Sequence, residues 1–79
     1  MSEHNVDLEL DLRGLACPLP VVKASKSIKD VPVGSVMKVV ATDPGALADF
    51  PAWAKTSGNE ILDIERNGSE INIFIKRMK

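Results

Sequence analysis

The feature that most constrains this chain is an abrupt change of pattern near its start. Apolar residues occupy every second position from 6 to 12, and acidic residues lie between them. This period of two predicts a strand with one buried face. Pro18 and Pro20 follow, and proline is best tolerated in the first turn of a helix, where its missing N–H is not needed. Because Gly14 gives the backbone freedom to turn, the sequence predicts a strand that passes through a tight corner into a helix.

The residues after this corner predict a second corner of the same kind. Residues 18–29 have apolar residues at helical spacing, with Lys23, Lys26 and Lys29 able to reach solvent. Residues 35–42 are rich in β-branched and apolar residues without clean alternation, which predicts an interior strand. Asp43 is then expected to be the N-cap of a second helix.

The second half of the chain carries three further local signals. Pro51 predicts either a kink or an irregular lead-in to the second helix, since a proline inside a helix removes a hydrogen bond. Gly58 is expected to end that helix. Leu62 and Ile64 alternate with acidic residues in a third strand. The pair Asn67-Gly68 predicts a hairpin turn into a fourth strand, which has isoleucine at every second position from 71 to 75.

Together these elements predict the order βαβαββ and an α/β (α+β) fold. Strands with clean alternation have one wet face, so both helices are expected to cover the same side of one sheet. The predicted architecture is a two-layer sandwich, with two helices on one face of a four-stranded mixed sheet. We expect one domain spanning residues 1–79, with residues 1–5 as a disordered tail. Trp53 should join the core, and Phe74 should lie on the open face of the sheet or at its margin.

Composition restricts the classes of function. The formal net charge of −1 argues against nucleic-acid binding, which usually needs a basic surface. One cysteine and one histidine cannot supply a structural zinc site, so we expect no metal and no cofactor. The N-terminal residues lack the apolar stretch of a signal peptide, and no apolar run is long enough to span a bilayer. A free thiol without an export signal predicts a cytoplasmic protein.

Cys17, the single cysteine, is the candidate catalytic residue. It lies at or just before the predicted helix N-terminus, where the helix dipole favours the thiolate, which is the reactive form of a thiol. The alternative is that Cys17 is a buried small hydrophobic residue without chemistry. A second thiol for disulfide exchange is absent, and His4 in the predicted tail is a poor general base. An activated sulfur without a catalytic partner fits a carrier that holds a group covalently.

Four further residues are predicted to support this site. Gly14, Pro18 and Pro20 shape the corner, and Arg13 is the nearest positive charge in sequence. Arg13 would favour a thiolate, a persulfide or a thiosulfonate electrostatically. The same argument applies to Lys23, which is more simply explained as a solvated cation.

The stretch LDLRGLACPLPVVK, residues 10–23, resembles the signature of the TusA-like (SirA-like) sulfur carrier proteins, whose Cys-Pro-x-Pro motif begins the first helix. Residues 43–46 and 50–51 are similar to two further family features, an aspartate-proline turn and a proline that enters the second helix. The resemblance covers almost the whole chain from Val6 onward and implies the family's two-layer βαβαββ fold. Two departures concern Ala54, where some members have a second cysteine, and Ala16, where some have a basic residue.

The resemblance implies sulfur relay through Cys17. Family members accept sulfane sulfur from a cysteine desulfurase or a rhodanese-type sulfurtransferase and pass it to an acceptor, commonly a DsrE-type protein. The pathways served include tRNA thiolation, molybdenum cofactor assembly and sulfur oxidation. The expected activity is a sulfurtransferase half-reaction rather than that of a free-standing enzyme. Because a carrier must dock in turn with different partners, we expect a monomer or a weak dimer. The alternative is a non-catalytic interaction or redox-regulatory module, and a weaker third possibility is RNA binding.

Overall fold

The computed structural model describes residues 6–16 and 18–79. The elements follow the predicted order βαβαββ, with a short 3₁₀ turn at Ile28–Asp30 after the first helix. The strands and helices are β1 (Val6–Leu12), α1 (Leu19–Ser27), β2 (Val36–Ala41), α2 (Ala46–Ser57), β3 (Glu60–Asn67) and β4 (Glu70–Lys76). The predicted tail, residues 1–5, lies outside the described residues.

The four strands form one mixed sheet in the order β1-β2-β4-β3. β1 and β2 are parallel, whereas β4 is antiparallel to both β2 and β3. β2 therefore lies in the interior of the sheet, as its composition predicts. Every residue of β2 except Lys38 is buried, which explains why its alternation is blurred.

Both helices pack on the same face of the sheet, which confirms the two-layer architecture. α2 contributes Phe50, whose side chain is completely buried, and α1 contributes the much smaller Ala24. Trp53 packs against this core as predicted and meets Phe50 edge to face, with the ring centroids 6.0 Å apart. The strands supply the inward-facing residues of the core, which are Leu12, Met37, Val39, Ala41, Ile71, Ile73 and Ile75.

The boundaries of α1 agree with the proline argument. Pro18 is the N-cap residue and Pro20 is the second helical residue, so neither position costs a helical hydrogen bond. Lys23, Lys26 and Lys29 are exposed, as expected. The helix ends at Ser27, slightly earlier than predicted, because the chain tightens there into the 3₁₀ turn.

α2 differs from its prediction at its start. The helix runs unbroken from Ala46 through Pro51, so the idea that it begins near Pro51 after an irregular lead-in is wrong. The N-cap position belongs to Gly45 rather than Asp43. Asp43 instead supports the preceding turn, since its Oδ1 atom accepts a hydrogen bond from the Gly45 N–H at 3.4 Å. Gly58 ends the helix in the left-handed conformation, with φ at +80°, as predicted.

The third strand and its hairpin also depart from simple alternation. The pairing with β4 shifts between Ile61 and Asp63, which leaves Leu62 as the extra residue of a β-bulge. Ile61 and Ile64 consequently pack against the core, and the prediction that Leu62 shares a face with Ile64 is wrong. The bulge breaks the period of two on which that prediction relied.

The turn between β3 and β4 lies one residue later than predicted. Asn67 pairs with Glu70, so the two central residues are Gly68 and Ser69 rather than Asn67 and Gly68. Gly68 has φ at +63°, which is the conformation that a tight hairpin needs at its first central position. The hairpin itself is confirmed.

Phe74 lies on the open face of the sheet, as predicted. It faces Lys38 on β2 and Asp63 on β3. The ring is nevertheless only 6% exposed. The Lys38 ammonium lies 5.8 Å from the ring centroid, so the lysine helps to cover the aromatic face by a cation–π contact.

Candidate functional site

Cys17 lies outside the described residues, so its site is defined by the segments on either side. By sequence it directly precedes Pro18, the N-cap of α1, which agrees with the predicted position at the start of the helix. Its two neighbours, Ala16 and Pro18, are both exposed. The described residues next to Cys17 are therefore accessible on both sides of it.

The segment before Cys17 is anchored by the neighbouring strand. The Gly14 N–H donates to the Thr42 Oγ1 atom at 2.9 Å, and the Leu15 N–H donates to the Leu12 carbonyl at 3.3 Å. Gly14 has φ at +82°, which confirms that this position uses the conformational freedom of glycine. Thr42 was missed in the sequence analysis. Parallel neighbouring strands end at the same edge of the sheet, which is the feature that could have indicated this contact. Leu12 pairs with Ala41, so the next residue, Thr42, lies near the segment that follows Leu12.

The segment after Cys17 is tied to the first turn of α1. The Leu19 N–H donates to the Ala16 carbonyl at 3.0 Å, and the Val22 N–H donates to the Pro18 carbonyl at 3.1 Å. Pro18 and Pro20 have no N–H at all. Residues 18–20 therefore offer no free backbone N–H to an anion at the start of the helix. Electrostatic stabilisation of an anion there must come mainly from the dipole of the rest of α1.

The Arg13 guanidinium, which was expected to support Cys17 electrostatically, contacts two carboxylates. Its Nε and Nη2 atoms each lie 2.8 Å from a carboxylate oxygen of Asp11, and its Nη1 atom lies 3.3 Å from Glu70 Oε2. These hydrogen bonds from Arg13 lower the pKa of Asp11 to about 2, and Asp11 and Glu70 in turn raise the pKa of Arg13. Two carboxylates therefore compensate the guanidinium, which joins the end of β1 to the start of β4.

The Arg13 ion pairs lie on the open face of the sheet, on the side away from the helices. They form part of the lining of a shallow polar cavity of about 350 Å³, together with residues of β2 and the β3–β4 hairpin. Arg13 thus contributes to the corner by anchoring the backbone, because its N–H also donates to Asp11 Oδ1 at 3.1 Å. The proposed electrostatic support of Cys17 by Arg13 remains a prediction.

The two departures from the family pattern occupy different environments. Ala54 is buried in α2, with 3% of its surface exposed, so a cysteine there would enter the core. Ala16 is exposed beside Cys17. Within residues 6–16 and 18–79, no cluster of histidine, cysteine and carboxylate side chains has the grouping needed to hold a metal ion. None of the helices described is long and apolar enough to cross a membrane.

Comparison with known proteins gives a consistent result. The family model described as "Sulfurtransferase TusA" matches residues 8–77. The chain is 44% identical over 71 residues to the sulfur carrier protein TusA of Allochromatium vinosum, covering 90% of this chain and 93% of that protein. It is 46% identical over 68 residues to a putative sulfur carrier protein of Bacillus subtilis, covering 86% of this chain but 37% of that longer protein.

A solved structure has the same fold. The SirA-like protein from Desulfitobacterium hafniense superimposes with a TM-score of 0.72 and covers 91% of this chain and 99% of its own. The two sequences are 23% identical, so this likeness concerns the architecture.

Proposed function

The chain belongs to the TusA family, and from this premise we propose that it is a sulfur carrier that holds sulfane sulfur on Cys17. The observation that carries the proposal is the family match over residues 8–77, which contains the chain's one cysteine. A covalent sulfur carrier needs a nucleophilic sulfur atom, and the thioether of methionine cannot supply a thiolate. Cys17 is therefore the residue that must be loaded.

The chemistry consists of two sulfur exchanges. The Cys17 thiolate attacks the outer sulfur of a donor persulfide, a new S–S bond forms on Cys17, and the donor cysteine leaves as a thiolate. An acceptor thiolate then attacks the outer sulfur of the Cys17 persulfide, and Cys17 leaves as a thiolate. The S–S electrons move to the departing sulfur in each step, so no external oxidant or reductant is consumed. A thiosulfonate load is the alternative form.

The described part of the site supports two features that such a carrier needs. The residues that flank Cys17, Ala16 and Pro18, are exposed, so a second protein can contact the segments on either side of the cysteine. The corner is also tied down on both sides, by Thr42 before the cysteine and by the first turn of α1 after it. Flanking segments that are already ordered reduce the ordering cost of docking to successive partners.

The partners follow from the family. The donor is a cysteine desulfurase or a rhodanese-type sulfurtransferase, the acceptor is a DsrE-type protein, and the setting is the cytoplasm. The relay serves tRNA thiolation, molybdenum cofactor assembly or sulfur oxidation. The reaction needs neither a metal nor a cofactor, because both exchanges are thiolate attacks on sulfur.

Intact-protein mass spectrometry tests the proposal. The protein is incubated with tetrathionate or thiosulfate and, separately, with a cysteine desulfurase and cysteine. We expect the unmodified chain to gain one sulfur atom or one thiosulfonate, removable by a reductant, and the C17S variant to gain nothing while keeping its fold by circular dichroism. Loading of Cys17→Ser, or a reactive thiol that no donor loads, would reject the carrier role in favour of the interaction module.

A further inference from the structure

The solvent-facing side of α1 is apolar near its start and basic further along. Leu19 and Val22 are 48% and 42% exposed, and Lys23 and Lys26 are exposed as well. Val22, Lys23 and Lys26 follow Leu19 by three, four and seven positions, so all four residues lie on one face of the helix. We call this face the α1 stripe (Leu19, Val22, Lys23 and Lys26). Pro20 and Ala24, on the other side of the helix, are buried.

The exposed pair Leu19 and Val22 is unusual for its position. Single exposed aliphatic residues are normal on a protein surface, but adjacent ones mark contact sites more often. Five large hydrophobic residues are exposed in the part of the chain that the structure describes, and two of them form this pair. Both lie within five residues of Cys17 in the chain, where a protein partner must approach.

The charge of the stripe differs from that of the opposite side of the molecule. α1 contains two lysines and no acidic residue, and Lys29 follows it. On the open face of the sheet, five carboxylates outnumber the three cations Arg13, Lys38 and Lys76, although Arg13 and Lys38 pair with some of them. The carboxylates are Glu9 and Asp11 on β1, Asp63 and Glu65 on β3, and Glu70 on β4. The near-neutral net charge therefore conceals a separation, with a basic helix on one side and an acidic sheet on the other.

From this arrangement we propose that the α1 stripe is a docking surface for a protein that carries an acidic rim around an apolar recess. This inference rests on the proposed function, since the partner's own cysteine would exchange sulfur with Cys17. Leu19 and Val22 fill the recess, and Lys23 and Lys26 face the acidic rim. The acidic sheet repels the same partner, so the charge separation orients the encounter towards the helix that follows Cys17.

The test uses synthetic peptides, so it does not depend on knowing the partner. Three peptides of equal length each contain one cysteine, activated as a mixed disulfide with 2-thiopyridine. The first is acidic with leucines near the cysteine, the second is acidic without leucine, and the third is basic with the same leucines. The Cys17 thiolate attacks the peptide sulfur, a Cys17–peptide disulfide forms and 2-thiopyridone leaves, so its absorbance gives the rate constant.

We expect the acidic, leucine-containing peptide to react fastest. Its rate constant should exceed that of the basic peptide by about 3-fold to 10-fold at low salt, and the ratio should fall as added salt screens the lysines. The net charge of −1 alone would favour the basic peptide, so the sign of the preference is decisive. Alkylation by the neutral reagent iodoacetamide, measured for every variant, corrects for changes in the thiol itself.

Matched variants assign the preference to the stripe. The double variant Lys23→Gln/Lys26→Gln should lose the preference for acidic peptides, whereas Lys55→Gln, an exposed lysine in the last turn of α2, should keep it. Leu19→Ser/Val22→Ser should lose the advantage of leucine, whereas Val33→Ser, at a position 60% exposed outside both helices, should keep it. All of the substituted positions are exposed, so the fold should persist.

Equal rates for the three peptides, or a preference for the basic one, would overturn the docking proposal. A preference that survives in both double variants would overturn it as well. Neither result touches the carrier role, because sulfur loading by small molecules is measured separately on the same protein. Conversely, a chain that shows the peptide preference but accepts no sulfur would keep the docking surface and lose the proposed function.

Discussion

The two corners at which a strand passes into a helix are built differently, although they lie at the same edge of the sheet. Neither helix is capped by a side chain. At the second corner, the Asp43 carboxylate accepts a hydrogen bond from the Gly45 N–H within the turn, and α2 then buries Phe50 completely. At the first corner, α1 begins with the exposed Leu19. The same topological device therefore serves stability at one corner and accessibility at the other.

The two corners are also connected. Thr42 belongs to the second corner, yet its hydroxyl accepts the hydrogen bond that anchors Gly14 at the first. The stable corner thus supports the accessible one. Substitutions at these two corners should separate effects on folding from effects on Cys17.

The largest effect is expected from Gly14→Ala. A Cβ at Gly14 would meet no atom within 4 Å, so the cost comes from the left-handed conformation alone and amounts to about 1–2 kcal/mol. Gly34→Ala is a matched control, because Gly34 has φ at +91° and equally open surroundings. Chemical denaturation should show similar losses of stability, whereas the rate of Cys17 alkylation should change in Gly14→Ala alone. Equal alkylation rates in the two variants would contradict the special role of the first corner.

A smaller effect is expected from Thr42→Val. Removal of the hydroxyl leaves the Gly14 N–H without this acceptor and should lower the free energy of unfolding by about 1 kcal/mol. The rate of Cys17 alkylation should change because the segment before the cysteine loses this anchor, and Thr42→Ser should restore the rate. Thr56→Val is the control, since its hydroxyl bonds to Ala52 within its own helix. An unchanged alkylation rate in Thr42→Val would show that the two corners act independently.

A still smaller effect is expected from Asp43→Ala. Loss of the carboxylate that accepts a hydrogen bond from the Gly45 N–H in the turn before α2 should lower the free energy of unfolding by about 0.5–1 kcal/mol. Asp43→Asn should recover most of that loss, and neither variant should alter sulfur loading of Cys17 by tetrathionate. Reduced loading with an intact fold would mean that the second corner takes part in the chemistry.

The smallest effect concerns the Asp11–Arg13 ion pair at the first corner. The pKa of Asp11 is lowered from 3.8 to about 2, so the folded state binds its proton less readily than the unfolded state. The resulting stabilisation is present above the unfolded pKa and is lost as the pH falls through about 2. Solvent exposure makes it small and sensitive to salt. Thermal melts between pH 5 and 2 should therefore fall slightly more steeply for the unmodified chain than for Asp11→Asn.

Local pattern was sufficient to predict most of the architecture. The period of two in β1 and β4, the prolines at the start of α1 and Gly58 at the end of α2 each act over a few residues, and each prediction is confirmed. The alternating strands have one solvent-exposed face, which is why both helices were expected on the other face of the sheet. Cys17 was singled out by similar local reasoning.

Apart from the start of α2, the main features that were missed depend on pairing between distant parts of the chain. Arg13 meets Glu70, 57 residues later, and Thr42 reaches Gly14 across 28 residues. The bulge at Leu62 appears only when β3 is aligned with β4, because the register is set by the opposite strand. Such contacts change the roles of side chains whose local sequence suggests solvation or simple alternation.

Both edge strands of the sheet are irregular, and this affects how the protein meets other molecules. The pairing of β1 shifts between Val6 and Leu8, and that of β3 shifts at the Leu62 bulge. Bulges and charged side chains at an edge hinder the addition of another strand. Copies of this chain should therefore resist aggregation through backbone pairing, even at high concentration. Association then depends on side-chain contacts, which form and break quickly. Such contacts suit a protein that exchanges one partner for another.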